Sequence, residues 1–600
     1  MPVIGISVKQ LNMLLGKTLS PEVLGETLEK LGCDLEDIAN AKLYQCPKCE
    51  TLGEKFEHED PLRRCGICGF ESESSFECID EDQVIRLDLL PARPDLFDAG
   101  GLSRALRGYL EIETGLPEYS VESSGITVFI DEAFQNPESY RPYVVCAVVE
   151  MDKPIDSIVL RTIMKLQENL HWGIGRDRKL CAIGVHNLDS IQAPIHYKLI
   201  KPDEIEFFPL GYPETKMTPA DVLNKHPKGI AYKHLMENVT DYPILLDDKG
   251  MVMSFPPIIN GDATKLQIGS QRLLIDVTGI TQSDVQKALK TLVTSLIELG
   301  GTVKSVKIKE KNREQNTPDL TPGYIQIDRV AACKWLGIDL SHEDVINYLH
   351  RMRFSVEPIE GQENKYKVGY PAFRTDIKHE VDVFEDLAIA YGYSNMPMHL
   401  VPTMSIGKER PEEKIANLGR MIMLGLGFDE IFSLMITSQD NHFTKLRMQP
   451  KEQHIVLLNS KLVEYNIVRT HLLTGLFEAL EKNHLKPVPQ KFFEIGNVIL
   501  VGGDHETGTM EEKRLAFAII GENTGYAQAR SVLDALLYEM GLEGTYEAIN
   551  HDLCIEGRLA RVHLSNGFRG YLGEVHPDVL LAFNLKYPVA IGEITIAKVF

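Results

Sequence analysis

Apolar and polar positions alternate in VIGISV near the start of the chain and then fall at helical spacing in SPEVLGETLEKLG, where Ser20 is placed to cap and Pro21 to occupy the first turn. The pattern predicts a strand followed by a helix. VIRLDLLPARPDLFDAGGLSRALRGYLEIETG reads as a strand, a proline-punctuated turn and a helix from about Leu102. From about residue 140, strand patterns (YVVCAVVEM, CAIGVH, LLIDVTG) mix with a helical one (SIVLRTIMKLQENLHW), and a further helix is expected over TQSDVQKALKTLVTSLIELGG. VKSVKIKEKNREQNTPDLTPGY, polar and proline-bearing, reads as a linker, and the strand-like PVAIGEITIAKVF closes the last unit.

These patterns predict an α+β multidomain chain with an N-terminal α+β domain over 1–125, interrupted by a cysteine-bearing insertion at about 43–80. An α+β unit at 126–285 follows, then a helix end and linker at 286–317, a small module at 318–396 and a last α+β unit at 397–600. At 600 residues the chain exceeds what one core supports. No internal repeat or low-complexity tract interrupts it.

With 44% hydrophobic and 25% charged residues the chain has the composition of a soluble globular protein, not of a disordered or fibrous one. MPVIGISVKQLNMLLG lacks the basic flank and long apolar run of a leader, and no stretch of about 20 apolar residues stands elsewhere. The expected compartment is the cytoplasm, with no membrane partner. The net charge of −23 is a poor global field for a polyanion, so contact with nucleic acid has to be local. Lys304, Lys307, Lys309, Lys311 and Arg313 form one local candidate and Arg176, Arg178 and Lys179 another, each against the plainer reading of a solvated face.

Of the ten cysteines, four are regularly spaced: Cys46-Pro-Lys-Cys49 and Cys65-Gly-Ile-Cys68, separated by 15 residues, with glycine in the second turn. Four thiolates at this spacing close a tetrahedron around a soft ion and leave no open position for a reacting water, so the expected site is structural zinc, with iron or unliganded thiols as the alternatives. The remaining cysteines are scattered singly and imply no disulfide framework. Asp382, Glu385 and Asp386 fall at i, i+3 and i+4 of one helix face, with Asp376 less than two turns before them. Several hard oxygens at a helix start suit a partly hydrated magnesium ion; a solvated acidic face is the competing reading. No phosphate-cradling GxxxxGK[ST] loop, GxSxG elbow or spaced Ser/His/Asp set supports nucleophilic catalysis.

PARPDLFDAGGLSRALRGYLEIETGLP, LQENLHWGIGRDRKLCAIGVHNLD, MSFPPIINGD, LLIDVTG and AFRTDIKHEVDVFEDLAIAYGY together resemble the β-subunit family of phenylalanine-tRNA ligases, in its shorter archaeal and eukaryotic cytosolic type, over nearly the whole chain. The sequence ends near PVAIGEI without the C-terminal anticodon-binding module expected of the long bacterial form. The resemblance implies an editing domain at 126–285, a magnesium-site module at 318–396 and a degenerate class II synthetase antiparallel-sheet domain at 397–600. The cysteine insertion, zinc-ribbon-like, departs from the family pattern and reads as a local staple. The last domain resembles the degenerate copy through LLNSKLVEYNIVRTHLLTGLFEALEKN, KFFEIGNV and YLGEVHPDVL, and it lacks the glycine-arginine signature for ATP near its end. Gly173-Ile174-Gly175-Arg176 imitates that signature in the wrong context, after an apolar helix of the middle unit.

The resemblance further implies magnesium at Asp376, Asp382, Glu385 and Asp386, and an editing pocket around Ser254, Asp276 and Thr278 that hydrolyses mischarged tyrosyl-tRNA. Period-2 spacing puts Asp276 and Thr278 on one strand face, while turn chemistry before Gly279 is the plainer alternative. The implied partners are an α subunit that activates phenylalanine, in an (αβ)2 heterotetramer, and tRNA(Phe), with ATP and phenylalanine handled by the complex. The competing expectation is a stand-alone tRNA-binding or deacylating protein with no α partner; exposed apolar surface on the last unit would discriminate.

Overall fold

A computed structural model describes residues 3–599 apart from 49–51, 58, 67, 89–90, 137–138, 312, 402, 451–453, 463 and 503–504. It is a mixed α and β multidomain chain that divides into two compact units, Met1–His399 and Leu400–Phe600.

The first unit begins with a four-stranded antiparallel sheet in the order Val3–Ser7, Glu77–Asp88, Asp34–Gln45, Leu52–Phe56. Ser20 caps the helix Pro21–Lys30 by accepting from the Val23 amide at 3.3 Å. The helix expected from Leu102 starts earlier and spans Ala99–Tyr109, because the Asp98 carboxylate accepts from the amides of Gly100 and Gly101 and so caps a first turn rich in glycine. The two long strands pair from Asp34 opposite Asp88 to Gln45 opposite Glu77, whereas Val3–Ser7 covers only Val84 to Asp88. The cysteine insertion thus stands at the far end of a β arm. It has its own small core of Tyr44, Cys46, Cys65, Cys68 and Phe76, with Leu62 and Phe70 packed against it.

The next sheet has ten strands. Its order is Ile259–Asn260, Val252–Phe255, Tyr242–Leu246, Ile195–Ile200, Glu122–Ile130, Gly301–Lys309, Tyr143–Met151, Arg272–Gly279 and, at the far edge, Cys181–Asn187; Glu314–Thr317 pairs on Gly301–Lys309. The stretch 286–317 is therefore not a helix end and linker. The helix Gln282–Glu298 lays Val285, Leu289, Leu292 and Leu296 onto the sheet, and Gly301–Lys309 is a central strand, parallel to Glu122–Ile130 and antiparallel to Tyr143–Met151. Its polar appearance arises because Lys304 pairs with Glu150, Lys307 and Lys309 with Glu314, and Lys311 with Glu132, while Val303, Val306 and Ile308 face the core. The same pairing neutralises the lysine run locally.

At the sheet edge, Gln167 donates to the Ile183 carbonyl at 2.6 Å and the Ile183 amide donates to His171 Nε2 at 2.8 Å. The helix Ser157–Gly173 thereby satisfies backbone groups that an edge strand would leave bare. The small module pairs Gly323–Asp328, Lys365–Tyr370 and Ser355–Pro358 in one antiparallel sheet with the helices Arg329–Leu336, His342–Arg351 and Glu380–Tyr391.

The second unit is a seven-stranded sheet, antiparallel except where Asp429–Glu430 meets Gln490–Val501. One face packs against the helices Pro411–Gly425 and Tyr526–Glu539, the other against Leu473–Lys482 and Pro577–Ala582. Charged groups inside it neutralise one another: Arg469 lies 2.5 Å from Glu494, and Arg514 2.9 Å from Glu593.

Candidate functional site

The chain has a cavity of about 700 Å³ in the first unit, lined by Ser254, Asn260 and Asp276 of the ten-stranded sheet and by basic side chains that include Arg178, Lys228 and Lys265. Ser254 sits on the hairpin of Val252–Phe255 and Ile259–Asn260, where its hydroxyl donates to Asn260 Oδ1 at 3.1 Å. Asp276 lies in the strand Arg272–Gly279, whose Leu273, Ile275 and Val277 enter the helix-side core while Leu274 enters the core of the opposite face. Thr278 shares the face of Leu274 and Asp276 but does not line the cavity. It is fully buried, its carbonyl accepts from Arg141 Nη2 at 2.7 Å, and its hydroxyl has no hydrogen-bond partner among the described residues.

Two residues missed in the sequence complete the setting of Asp276. His186 Nε2 donates to Asp276 Oδ2 at 2.8 Å, and His186 Nδ1 lies 2.8 Å from the Thr264 hydroxyl. Gly184 stands directly across the ladder from Asp276, and a Cβ there would lie 1.9 Å from Asp276 Oδ2 and 2.7 Å from His186 Nε2. The glycine inside CAIGVH was the available signal, since glycine in a strand interior often marks such a close approach.

The neighbouring charges are also ordered. Arg178 is buried and donates to the carbonyls of Pro257 (3.3 Å) and Ile258 (3.0 Å) and to Glu168 (3.0 Å), which makes it a brace for the cavity rim instead of a solvated basic patch. The turn that delivers it holds Arg176, Asp177 and Arg178 at φ of 45°, 56° and 66°, three left-handed residues in succession. Burial holds His171 below the ordinary imidazole range, as its acceptor role toward Ile183 requires. Burial opposes ionisation of Glu168, yet His171, Arg178 and Lys228 together keep its carboxyl below the usual range.

In the insertion, the sulfurs of Cys46, Cys65 and Cys68 lie within 4.8 Å of one another and all three residues are buried. Cys46 Sγ and Cys68 Sγ are 3.8 Å apart, which fits the edge of a tetrahedron built on Zn–S bonds of about 2.3 Å. Cys49 lies outside the described residues. The donor set thus fits a soft structural ion.

The four carboxylates of the small module are not brought together as one ligand set. Asp376 and Asp386 both accept from Arg374 Nη2, each at 2.7 Å. Asp382 accepts from the amides of Lys378 and His379, both at 2.7 Å, and so caps its own helix; Glu385 is exposed. A guanidinium bound to two of the four already supplies the positive charge, so this arrangement does not fit a magnesium ion, whose assignment rests on the resemblance alone.

Two family models match the chain: "Phenylalanyl tRNA synthetase beta chain CLM domain" over residues 397–596 and "tRNA synthetase B5 domain" over 325–393. The phenylalanine-tRNA ligase β subunit of Methanosphaera stadtmanae is 35% identical over 558 residues, covering 92% of this chain and 98% of that relative. That of Methanocaldococcus jannaschii is 37% identical over 571 residues, covering 95% and 100%. A crystal structure of an N-terminal fragment of the phenylalanyl-tRNA synthetase β-subunit from Pyrococcus horikoshii aligns with a TM-score of 0.55 at 34% identity, over 65% of this chain and 99% of the fragment. The chain belongs to the phenylalanyl-tRNA synthetase β-subunit family.

Proposed function

We propose that the chain is the β subunit of a phenylalanine-tRNA ligase, that it hydrolyses mischarged tyrosyl-tRNA in the cavity beside Asp276, and that an α subunit carries the ATP-dependent activation of phenylalanine. The observation that carries the reading is the placement of Ser254 and Asp276 on one cavity ringed by basic side chains. An apolar phenylalanine pocket rejects tyrosine, which adds only a hydroxyl, by about 100-fold. A second pocket with a polar partner for the phenolic hydroxyl accepts tyrosine and disfavours phenylalanine, which would leave that partner unpaired.

Asp276 is that partner. An ionised carboxylate only accepts hydrogen bonds, so His186 must present Nε2–H to it, and the neutral ring then accepts from Thr264 at Nδ1. His186 is a positioning residue that fixes the rotamer of Asp276. Arg178, Lys228 and Lys265 suit the phosphates at a tRNA 3′ end. Hydrolysis adds water to the ester carbonyl, breaks the ester C–O bond and returns a proton to the ribose hydroxyl.

The second unit supports an α partner. Phe432 and Leu458 are 91% and 92% exposed, and Met421 and Leu424 point outward from the helix Pro411–Gly425. Apolar side chains held this way mark an interface. The assembly proposed is (αβ)2, binding tRNA(Phe) in the cytoplasm. Zinc held by Cys46, Cys49, Cys65 and Cys68 would cross-link the insertion and supply no catalytic step. Co-expression with the α subunit tests the reading: a stable complex that charges tRNA(Phe) and releases tyrosine from tyrosyl-tRNA is expected. A monomer that deacylates alone would favour a stand-alone editing protein.

A further inference from the structure

Much of the cavity wall does not come from the sheet that carries Asp276. Leu43, Cys46, Leu52, Glu54, Leu62 and Cys65 of the insertion line it as well, so two of the clustered thiols belong to residues of the wall itself. The inserted strand Leu52–Phe56 is fastened to the helix Ser157–Gly173, which supplies further lining residues. Arg161 donates to Glu54 at 3.2 Å and to Asp82 at 3.1 Å, and Lys165 also binds Glu54. The side chains of Arg161, Glu54 and Asp82 are only 9%, 12% and 8% exposed, so this is a largely desolvated charge cluster that fixes the lobe in one position. A second fastening is Lys48, whose ammonium lies 6.0 Å from the centre of the Tyr212 ring.

A lobe with so small a core depends on its ion for rigidity. We propose that the ion held by the cysteine lobe sets the shape of the cavity, so that this chain receives the aminoacyl ester at a tRNA 3′ end against a metal-dependent wall. The inference rests on the deacylation reading above and adds to it a role for the insertion: it is part of the substrate site, coupled to the cavity helix through Glu54 and Arg161.

The test uses the αβ complex and two readouts, hydrogen exchange over Leu52–Phe56 and Ser157–Gly173 and the KM for tyrosyl-tRNA deacylation. Stripping the metal with a chelator is expected to raise exchange in both segments and to raise KM at least about tenfold, with zinc restoring both. Glu54→Gln leaves Arg161 and Lys165 to share Asp82; it is expected to keep its bound zinc and its charging of tRNA(Phe) yet show the same rise in exchange and in KM. Protection retained after metal removal, or protection lost with KM unchanged, overturns the proposal. A wild-type complex that released neither tyrosine nor phenylalanine would sink the deacylation reading, while the exchange data would still decide whether the wall depends on the ion.

Discussion

Gly184 faces Asp276 across the strand pair, and a methyl group on residue 184 would fall 1.9 Å from the carboxylate oxygen that binds His186. The carboxylate fills the space a side chain would occupy. A backbone choice on one strand therefore sets the rotamer of an acid on the next, and through it the polar partner available in the cavity.

Gly184→Ala should consequently displace Asp276 and break its bond to His186. The expected result is a loss of tyrosyl-tRNA deacylation with charging of tRNA(Phe) by the complex retained, at a stability cost of about 1–3 kcal/mol from overpacking. Denaturant unfolding beside the two assays checks it; deacylation at the wild-type rate would mean that the approach is not functional.

Thr278 offers a separate contrast. Its buried hydroxyl has no partner among the described residues, so Thr278→Val should cost little stability or even add some. If the hydroxyl meets the substrate ester, deacylation falls while the melting temperature holds. A drop in both would show that the threonine is structural.

The two buried histidines set an acid limit. Burial, with His471 stacked at 3.8 Å, depresses His442, which accepts from the Thr470 amide at 2.9 Å; burial likewise depresses His171. Above an unfolded pKa of about 6.5 neither state binds the proton. Below it the unfolded chain does and the fold does not, so stability falls as pH drops, by about 1.4 kcal/mol per pH unit for each histidine. Calorimetry between pH 7.5 and 5 should show falling stability, and His442→Gln should flatten the slope of the second unit. A pH-independent transition would contradict this assignment of proton positions.

Much of the site was legible before the structure, and the failures have physical causes. The cysteine spacing was decisive because ligand chemistry is local in sequence. Asp276 and Ser254 were found through resemblance, whereas Gly184 and His186 depend on cross-strand register, which no local pattern prints. The strand Gly301–Lys309 was mistaken for linker because its lysines dominate the eye, although Val303, Val306 and Ile308 carry the buried face. Helical spacing put Asp382, Glu385 and Asp386 on one face, but Asp382 was drawn away by the open amides of its own helix end, and Arg374, two residues before Asp376, was the overlooked cation.

The account's central claim is that Asp276 makes this cavity selective for tyrosine. The most direct measurement compares release of tyrosine and of phenylalanine from the two aminoacyl-tRNAs by the wild-type complex and by Asp276→Ala, with charging measured alongside. The account predicts strong preference for tyrosyl-tRNA in the wild type and a preference reduced by about 100-fold in the variant, with charging intact. Equal loss of charging and release, or an unchanged preference, would contradict it.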